Sequence, residues 1–151
     1  MGNSTGDVLL QYAGDDPDSY PNIFDNAKTE VSEKDKKRLI EALETLNNSE
    51  APESAVDTDS VIRYFTAHNF VLNFDSYTGS MIHNYYLYEY NGMLNILPWD
   101  YNLAFGGMNM GPENDASEVV NDAVDTPFAG TTFFDGLLEN ETYLSRYHEY
   151  L

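Results

Sequence analysis

Apolar side chains that recur at helical spacing predict a helix over residues 32–47. Four of them form the stripe, Leu39, Ile40, Leu43 and Leu46. Ser32 is the predicted N-cap, and Asp35 stands three residues later, where a capping box usually has Glu or Gln. Most of the basic residues lie in this helix, and we expect them on its solvated face.

A second apolar stripe predicts a helix over residues 58–73. Asp57 or Asp59 is the expected cap, and His68 and Asn69 are expected near the buried side. This helix delivers the chain to Asp75, within the turn-forming sequence Asp-Ser-Tyr-Thr-Gly. By itself that sequence indicates only a turn at the end of a helix.

Aromatic and aliphatic residues on both sides of Asn91-Gly92 predict a β-hairpin over about 84–98. The flanks read YYLYEY and MLNILPW, and Asn-Gly tolerates positive φ at both central positions, as a type I′ turn requires. With a two-residue turn, opposed residues have numbers that sum to 183, so Asn84 faces Trp99. After the hairpin, residues 104–130 are rich in Gly, Asn and Asp and predict a long loop that is either functional, as a lid or substrate platform, or mobile. Apolar and aromatic residues recur at helical spacing over 131–151 and predict helical structure there.

Three oxygen-bearing side chains meet at the open end of this hairpin if the chain bends there. Asn84 lies opposite Trp99, next to Asp100, and Asp75 comes nine residues before Asn84. Strict alternation would place Asn84 and Asp100 on opposite faces, so their convergence requires a bend at Pro98 or just beyond. Granted that bend, the cluster suits a hard cation such as Mg²⁺, with a phosphate completing its shell.

Composition narrows the range of partners. The 151 residues carry 26 acidic and 7 basic side chains, a formal charge of −19, and no cysteine. Nucleic acid and an anionic membrane are poor partners for such a surface, whereas a divalent cation or a basic protein substrate suits it. Solubility alone explains the charge equally well. No apolar run approaches membrane-spanning length, so we expect no membrane insertion of this segment.

The order of Asp, Asn, strand, tight turn, strand and Asp is also that of a protein-kinase catalytic lobe. In kinases the first Asp accepts the substrate hydroxyl proton, and the Asn and the second Asp hold the metal ions. This chain departs from that pattern, because DYNLAFG replaces Asp-Phe-Gly and Asn73-Phe74 replaces His-Arg before Asp75. It also contains no glycine-rich loop of either nucleotide-binding type.

The stretch HNYYLYEYNGMLNILPWDYNLAFGG resembles the signature of the CotH kinase family, the relatives of spore coat protein H. VIRYFTAHNFVLNFDSYTG is similar to the family's helix leading into the catalytic Asp, and the resemblance extends from DDPDSY to the C-terminus. Its most specific part is Trp99-Asp100-Tyr101 with the following Gly106.

The resemblance implies an atypical protein kinase that transfers the γ-phosphate of ATP to Ser or Thr of a protein. Asp75 would be the catalytic base. Asn84 and Asp100 would hold Mg²⁺ or Mn²⁺ and, through the metal, the nucleotide phosphates; Asn73, beside Asp75, is the alternative to Asn84. The implied fold is α+β, mainly helical and like a kinase C-lobe, with the hairpin beside the active site.

We expect a single domain over residues 1–151 that lacks a nucleotide-gripping N-lobe, so the isolated chain should be inactive or very weak. The phosphate-binding Lys would then lie in sequence not present here; the alternative is that Arg63 or a lysine of the 34–38 cluster substitutes. The resemblance implies a bacterial protein of the spore coat, the cell surface or the extracellular space.

The alternative is a non-catalytic structural or binding module of a bacterial coat or surface protein, with Ca²⁺ as its ligand. Two acidic groups offer carboxylates for Ca²⁺, although neither has the spacing of an EF-hand loop. They are Asp15, Asp16 and Asp18 in the first and Asp115, Glu118, Asp122 and Asp125 in the second.

Overall fold

The computed structural model describes residues 7–48, 51–79, 82–107, 121, 123–125 and 137–151, which form four helices and one two-stranded antiparallel sheet. Within those residues the α+β, mainly helical fold predicted from the sequence is confirmed. The helices are α1 (Pro21–Phe24), α2 (Glu33–Asn47), α3 (Thr58–Phe70) and α4 (Glu141–Tyr150), and the strands are β1 (Tyr85–Tyr90) and β2 (Met93–Pro98). Short 3₁₀ turns occupy Pro17–Ser19 and Pro52–Ser54.

Helix α2 begins with the predicted capping box. The Ser32 hydroxyl accepts from the Asp35 backbone N–H at 3.3 Å, and the Asp35 carboxylate accepts from the Ser32 backbone N–H at 2.8 Å. The shorter Asp side chain therefore performs the role that Glu usually has. On the solvated face, Lys36 pairs with Glu33, and Arg38 reaches Glu89 of β1 with two hydrogen bonds of 2.8 and 2.9 Å.

Helix α3 forms the centre of the core. Asp57 caps it by accepting from the Ser60 N–H at 3.0 Å, and its inner face is buried. His68 and Asn69 are buried as predicted, at 0% and 1% exposure. The predicted end at residue 73 was wrong, because the helix stops at Phe70 and Leu72 takes a left-handed φ of 48°.

The hairpin has the predicted turn and the predicted register. Asn91 and Gly92 have φ values of 54° and 80°, and the pairing runs from Tyr90 opposite Met93 to Tyr85 opposite Pro98. Alternate residues of β2, among them Leu94, are buried against α3. The outer face carries three exposed tyrosines, Tyr86, Tyr88 and Tyr90.

The C-terminal helix α4 packs on α3. Asn140 caps α4, and the buried Tyr147 hydroxyl accepts from the Asn69 amide at 2.9 Å and donates to the Val124 carbonyl at 2.8 Å. The predicted loop over 104–130 and the predicted helical region over 131–151 are described only in part. Residues 108–120, 122 and 126–136 of these two regions lie outside the described residues. None of the described helices is both long and apolar enough to cross a membrane.

Candidate active site

A tight loop after α3 carries Asp75. The Asn73 N–H donates to the His68 carbonyl at 2.9 Å, and the Ser76 hydroxyl donates to the Asn73 carbonyl at 2.7 Å. The loop closes so tightly at Gly79 that a Cβ there would lie 1.6 Å from the Phe74 carbonyl oxygen. Asp75 therefore sits on a sharply folded segment whose path requires glycine at its end.

Asn84 is the direct partner of Asp75. Its amide nitrogen donates to the Asp75 carboxylate at 2.8 Å and to the Asp75 carbonyl at 2.9 Å. Asn84 has a left-handed φ of 51°, a conformation that Asn tolerates better than most residues. On its other side the Asp75 carboxylate lies 3.4 Å from the His83 ring nitrogen Nδ1. The side chain of Asp75 is 14% exposed, so it faces solvent from a partly enclosed position.

Asp100 follows the hairpin after a bend. The Trp99 N–H donates to the Asn84 carbonyl at 3.3 Å, which extends the ladder by one pair, and Asp100 then takes a φ of 60°. The required change of direction is therefore present, one residue after Trp99. The Asp100 carboxylate accepts from the Asn102 N–H at 3.3 Å, and no hydrogen bond joins it to Asp75 or Asn84 among the described residues.

The segment 101–107 is anchored on the C-terminal end of α3. The Phe105 N–H donates to the Val71 carbonyl, and the Gly106 N–H donates to the Leu72 carbonyl at 3.1 Å. The first bond satisfies a carbonyl that the end of the helix leaves without a helical partner, and the Leu72 carbonyl also accepts from the Phe74 N–H at 3.2 Å. The loop that carries Asp75 begins at the same end of α3. The segments that carry Asp75 and Asp100 are therefore both attached to the C-terminal end of this helix, their shared anchor.

A stack of three rings reinforces that anchor. The His68 ring lies between Tyr64, at a centroid distance of 3.9 Å, and Tyr101, at 5.0 Å. Burial lowers the pKa of His68 because desolvation disfavours its charged form. His68 therefore forms the stack as a neutral ring, with Nδ1 bonded to the Tyr64 carbonyl at 2.9 Å.

Asn73, the alternative to Asn84, points away from this surface. Its side chain is fully buried, and neither its amide oxygen nor its amide nitrogen has a hydrogen-bond partner among the described residues. The amide that meets the Asp75 carboxylate belongs to Asn84.

The sequence reasoning missed two participants in this site. The Trp99 indole N–H donates to the Asn84 amide oxygen at 3.2 Å, and Tyr101 stacks on His68. The hairpin register already placed Trp99 opposite Asn84, so the first contact had a signal in the sequence. The second joins residues 33 positions apart and had none.

Comparison with known families identifies the domain. The family model described as "CotH kinase protein" matches residues 5–151. The chain belongs to the CotH kinase family. No curated protein and no solved structure matches this CotH kinase chain. Its family membership makes it a kinase-like domain.

Asn84 and Asp100 carry oxygen donors of the kind that small hard cations prefer. Asn84 offers an amide oxygen that keeps one lone pair beside the Trp99 hydrogen bond, and Asp100 offers a carboxylate. Mg²⁺ commonly binds through one or two protein groups and completes its shell with water and phosphate oxygens. No group of three or more His, Asp or Glu in the described part of the chain is arranged to hold a metal.

The acidic turn near residue 16 uses its carboxylates locally. Asp15 accepts from the Tyr12 hydroxyl at 2.7 Å, and Asp16 accepts from the Asp18 N–H at 3.0 Å. In the second acidic group, three members lie outside the described residues, Asp115, Glu118 and Asp122. A Ca²⁺ site therefore stays a prediction in both places.

Proposed function

We propose that this CotH domain transfers the γ-phosphate of ATP to a Ser or Thr hydroxyl of a protein with the help of a divalent metal. The observation that carries the proposal is the Asp75 carboxylate held by Asn84 at 2.8 Å, on a loop that shares its anchor with the Asp100 segment. Family membership supports the same kinase-like chemistry.

Asp75 is the proposed catalytic base. Asn84 holds one carboxylate oxygen and His83 lies near the other, so the group is oriented while it retains lone pairs for a substrate hydroxyl. In this role Asp75 accepts a hydrogen bond from that hydroxyl and takes up its proton as phosphate transfer proceeds. Its partial exposure leaves room for the hydroxyl to approach.

Asn84 and Asp100 are the proposed metal ligands. Through the metal they would also bind the phosphates of the nucleotide. Mg²⁺ or Mn²⁺ bound there would neutralise charge on the ATP phosphates. The chain itself contributes an amide oxygen from the start of the hairpin and a carboxylate from the turn after it. Both come from left-handed positions, Asn84 at 51° and Asp100 at 60°.

The phosphate-gripping cation is proposed to come from sequence outside this chain. Of the basic residues that could substitute within the chain, Lys36 is paired with Glu33, Lys37 with Glu41 and Arg63 with Asp59. A residue recruited for phosphate would have to leave such a partner.

The proposed substrate is a basic protein, because the chain carries a formal charge of −19. The proposed location is the spore coat, or the surface or exterior, of a bacterium, which follows the family name alone.

Calorimetric titration of ATP with and without Mg²⁺ or Mn²⁺, followed by a phosphate-transfer assay, tests the proposal. We expect Asp100→Ala to lose metal-dependent ATP binding. Asp75→Asn should keep that binding and lose transfer by about 10²- to 10⁴-fold, the usual contribution of a positioned base. Asp25→Asn, at an exposed position after α1, is the matched control.

The assay should be run on this chain and on a chain extended at its N-terminus. Transfer that survives in both Asp75→Asn and Asp100→Ala would contradict the kinase proposal. Transfer that appears only in the extended chain would support the proposal that the phosphate-gripping group lies outside these residues.

A binding module is the second candidate, and the exposed aromatic face of the hairpin favours it. Tyr88 and Tyr90 are 49% and 61% exposed, and aromatic side chains of this kind are common at interfaces. This candidate predicts partner binding that is the same in wild type, Asp75→Asn and Asp100→Ala. Binding lost in Asp100→Ala alone would count against it.

A further inference from the structure

We infer that Trp99 is a positioning residue whose indole N–H sets the orientation of the Asn84 amide and, through it, the Asp75 carboxylate. Three side chains form one line of hydrogen bonds. The Trp99 indole nitrogen donates to the Asn84 amide oxygen at 3.2 Å, and the Asn84 amide nitrogen donates to the Asp75 carboxylate at 2.8 Å.

The neighbours of Asn84 permit only one orientation of its amide. The carboxylate and the carbonyl of Asp75 can only accept hydrogen bonds, and the indole N–H of Trp99 can only donate one. A flipped amide would set its oxygen against two oxygens of Asp75 and its NH₂ group against the indole N–H. All three bonds would be lost together, so Trp99 contributes directly to the choice of orientation.

The hairpin places the indole where this bond can form. The Trp99 backbone N–H donates to the Asn84 carbonyl at 3.3 Å, so the two residues are joined through both backbone and side chain. Burial does not hold the ring in place, because Trp99 is 51% exposed and its ring contact on this face is with Tyr86, at 6.1 Å. The hydrogen bond therefore gives this exposed tryptophan a defined function.

The inference rests on the proposed function, since it assigns a role in orienting the proposed base. It also concerns the proposed metal ligand, because the indole uses one lone pair of the Asn84 oxygen and leaves one for a cation. Loss of the indole N–H would remove one of the three bonds that select this orientation and would weaken the hold of Asn84 on the Asp75 carboxylate.

Trp99 is the only tryptophan in the chain, which permits a replacement confined to this site. A tryptophan auxotroph can supply the full chain with benzothienylalanine, in which sulfur replaces the indole N–H at nearly constant shape. 5-Fluorotryptophan, which keeps the N–H, is the matched control. Trp99→Phe is a second variant without the donor, and a circular-dichroism melt verifies that each protein folds.

The first measurement is the ¹⁵N–¹H spectrum of the Asn84 side-chain amide, assigned by its disappearance in Asn84→Asp. We expect the benzothienyl and Phe proteins to shift these resonances and to exchange the amide protons with water about tenfold faster, as loss of one net hydrogen bond implies. The 5-fluorotryptophan protein should match wild type. Unchanged Asn84 resonances in both proteins without the N–H would overturn the inference.

The second measurement is phosphate transfer by the same proteins, in the chain context that is active. We expect kcat to fall about tenfold without the N–H, because the base is misplaced. If the Asn84 resonances respond but wild type transfers no phosphate in either chain context, the positioning role stands and the proposed function fails. An unchanged kcat despite altered resonances would overturn the link from Asn84 to the base.

Discussion

The two aspartates of this site are held by different kinds of interaction. Asp75 is fixed through its side chain by the amide of Asn84 at 2.8 Å, and the His83 ring lies 3.4 Å away. Asp100 is fixed through its backbone segment, which hydrogen-bonds to the end of α3 and stacks Tyr101 on His68.

The difference determines which changes each region tolerates. Side-chain hydrogen bonds are directional, so an isosteric change that removes one N–H should disturb Asp75. A stacked and backbone-anchored segment depends on shape, so removing a ring should disturb Asp100, while a change of polar atoms that keeps the ring and its charge should not. The comparison is tested directly by substitutions that change a hydrogen-bonding atom and keep the shape of the side chain, and by substitutions that do the reverse.

Gly79→Ala should have the largest effect and should break the Asp75 region. Its Cβ would lie 1.6 Å from the Phe74 carbonyl oxygen and 2.3 Å from the carbonyl carbon, both backbone atoms that cannot move without opening the loop. We expect the free energy of unfolding to fall by about 3 kcal/mol or more, measured by urea denaturation.

Gly92→Ala in the hairpin turn is the control for Gly79→Ala. Gly92 has a φ of 80° with nothing within 4 Å of an added Cβ, so strain alone should cost about 1 kcal/mol. Equal losses in the two variants would show that the Asp75 loop is not tightly closed.

Acid should weaken the anchor of the Asp100 region through His68. Burial lowers the pKa of His68 in the folded protein from the ordinary value of 6.5, so below that pH the unfolded chain binds the extra proton. Stability should therefore fall as pH drops below 6.5, by at most about 1.4 kcal/mol per pH unit, until His68 also titrates in the folded state.

His68→Phe, which keeps a ring between Tyr64 and Tyr101, should remove this part of the pH dependence. Urea denaturation at several values between pH 7 and pH 5 measures it, and His148→Gln is the control at an exposed histidine. The same slope in wild type and His68→Phe would show that His68 is not responsible.

Tyr101→Ala should have the smallest effect on stability. It should disturb the Asp100 region and leave the Asp75 region unchanged. Loss of the stacked pair should cost about 1 kcal/mol, and hydrogen exchange at the Phe105 and Gly106 amides should accelerate about fivefold. Tyr101→Phe keeps the ring and should match wild type. The side-chain amide of Asn84 should be unaffected in both, and a change there would mean that the two aspartates are held by one network.

Local chemistry explains the parts of the fold that were predicted correctly. The Ser32 cap with Asp35, the Asn91-Gly92 turn and the hairpin register all depend on residues close together in sequence. The end of α3 was predicted too late, because nothing local requires Leu72 to take a left-handed conformation. That turn accompanies the docking of the distant segment 101–107 on the same helix end.

The sequence predicted which residues belong to the candidate site, but it predicted only part of how they are arranged in space. The resemblance selected Asp75, Asn84 and Asp100, and the structure joins the first two by a hydrogen bond, whereas Asp100 bonds to its own turn. The bend needed after Pro98 was an assumption in the sequence, and the structure places it at Asp100. Their roles in binding metal and in catalysis stay predictions.

The sequence by itself determined the helix caps, the hairpin and the family, because caps and tight turns are decided by groups a few residues apart and a family by its motif. Tertiary structure alone decided the orientation of the Asn84 amide, the burial of His68 between two tyrosines and the shared anchor at the end of α3. Those features join groups that lie up to 34 residues apart, from Val71 to Phe105, and exist only when packing brings them within hydrogen-bond or van der Waals distance.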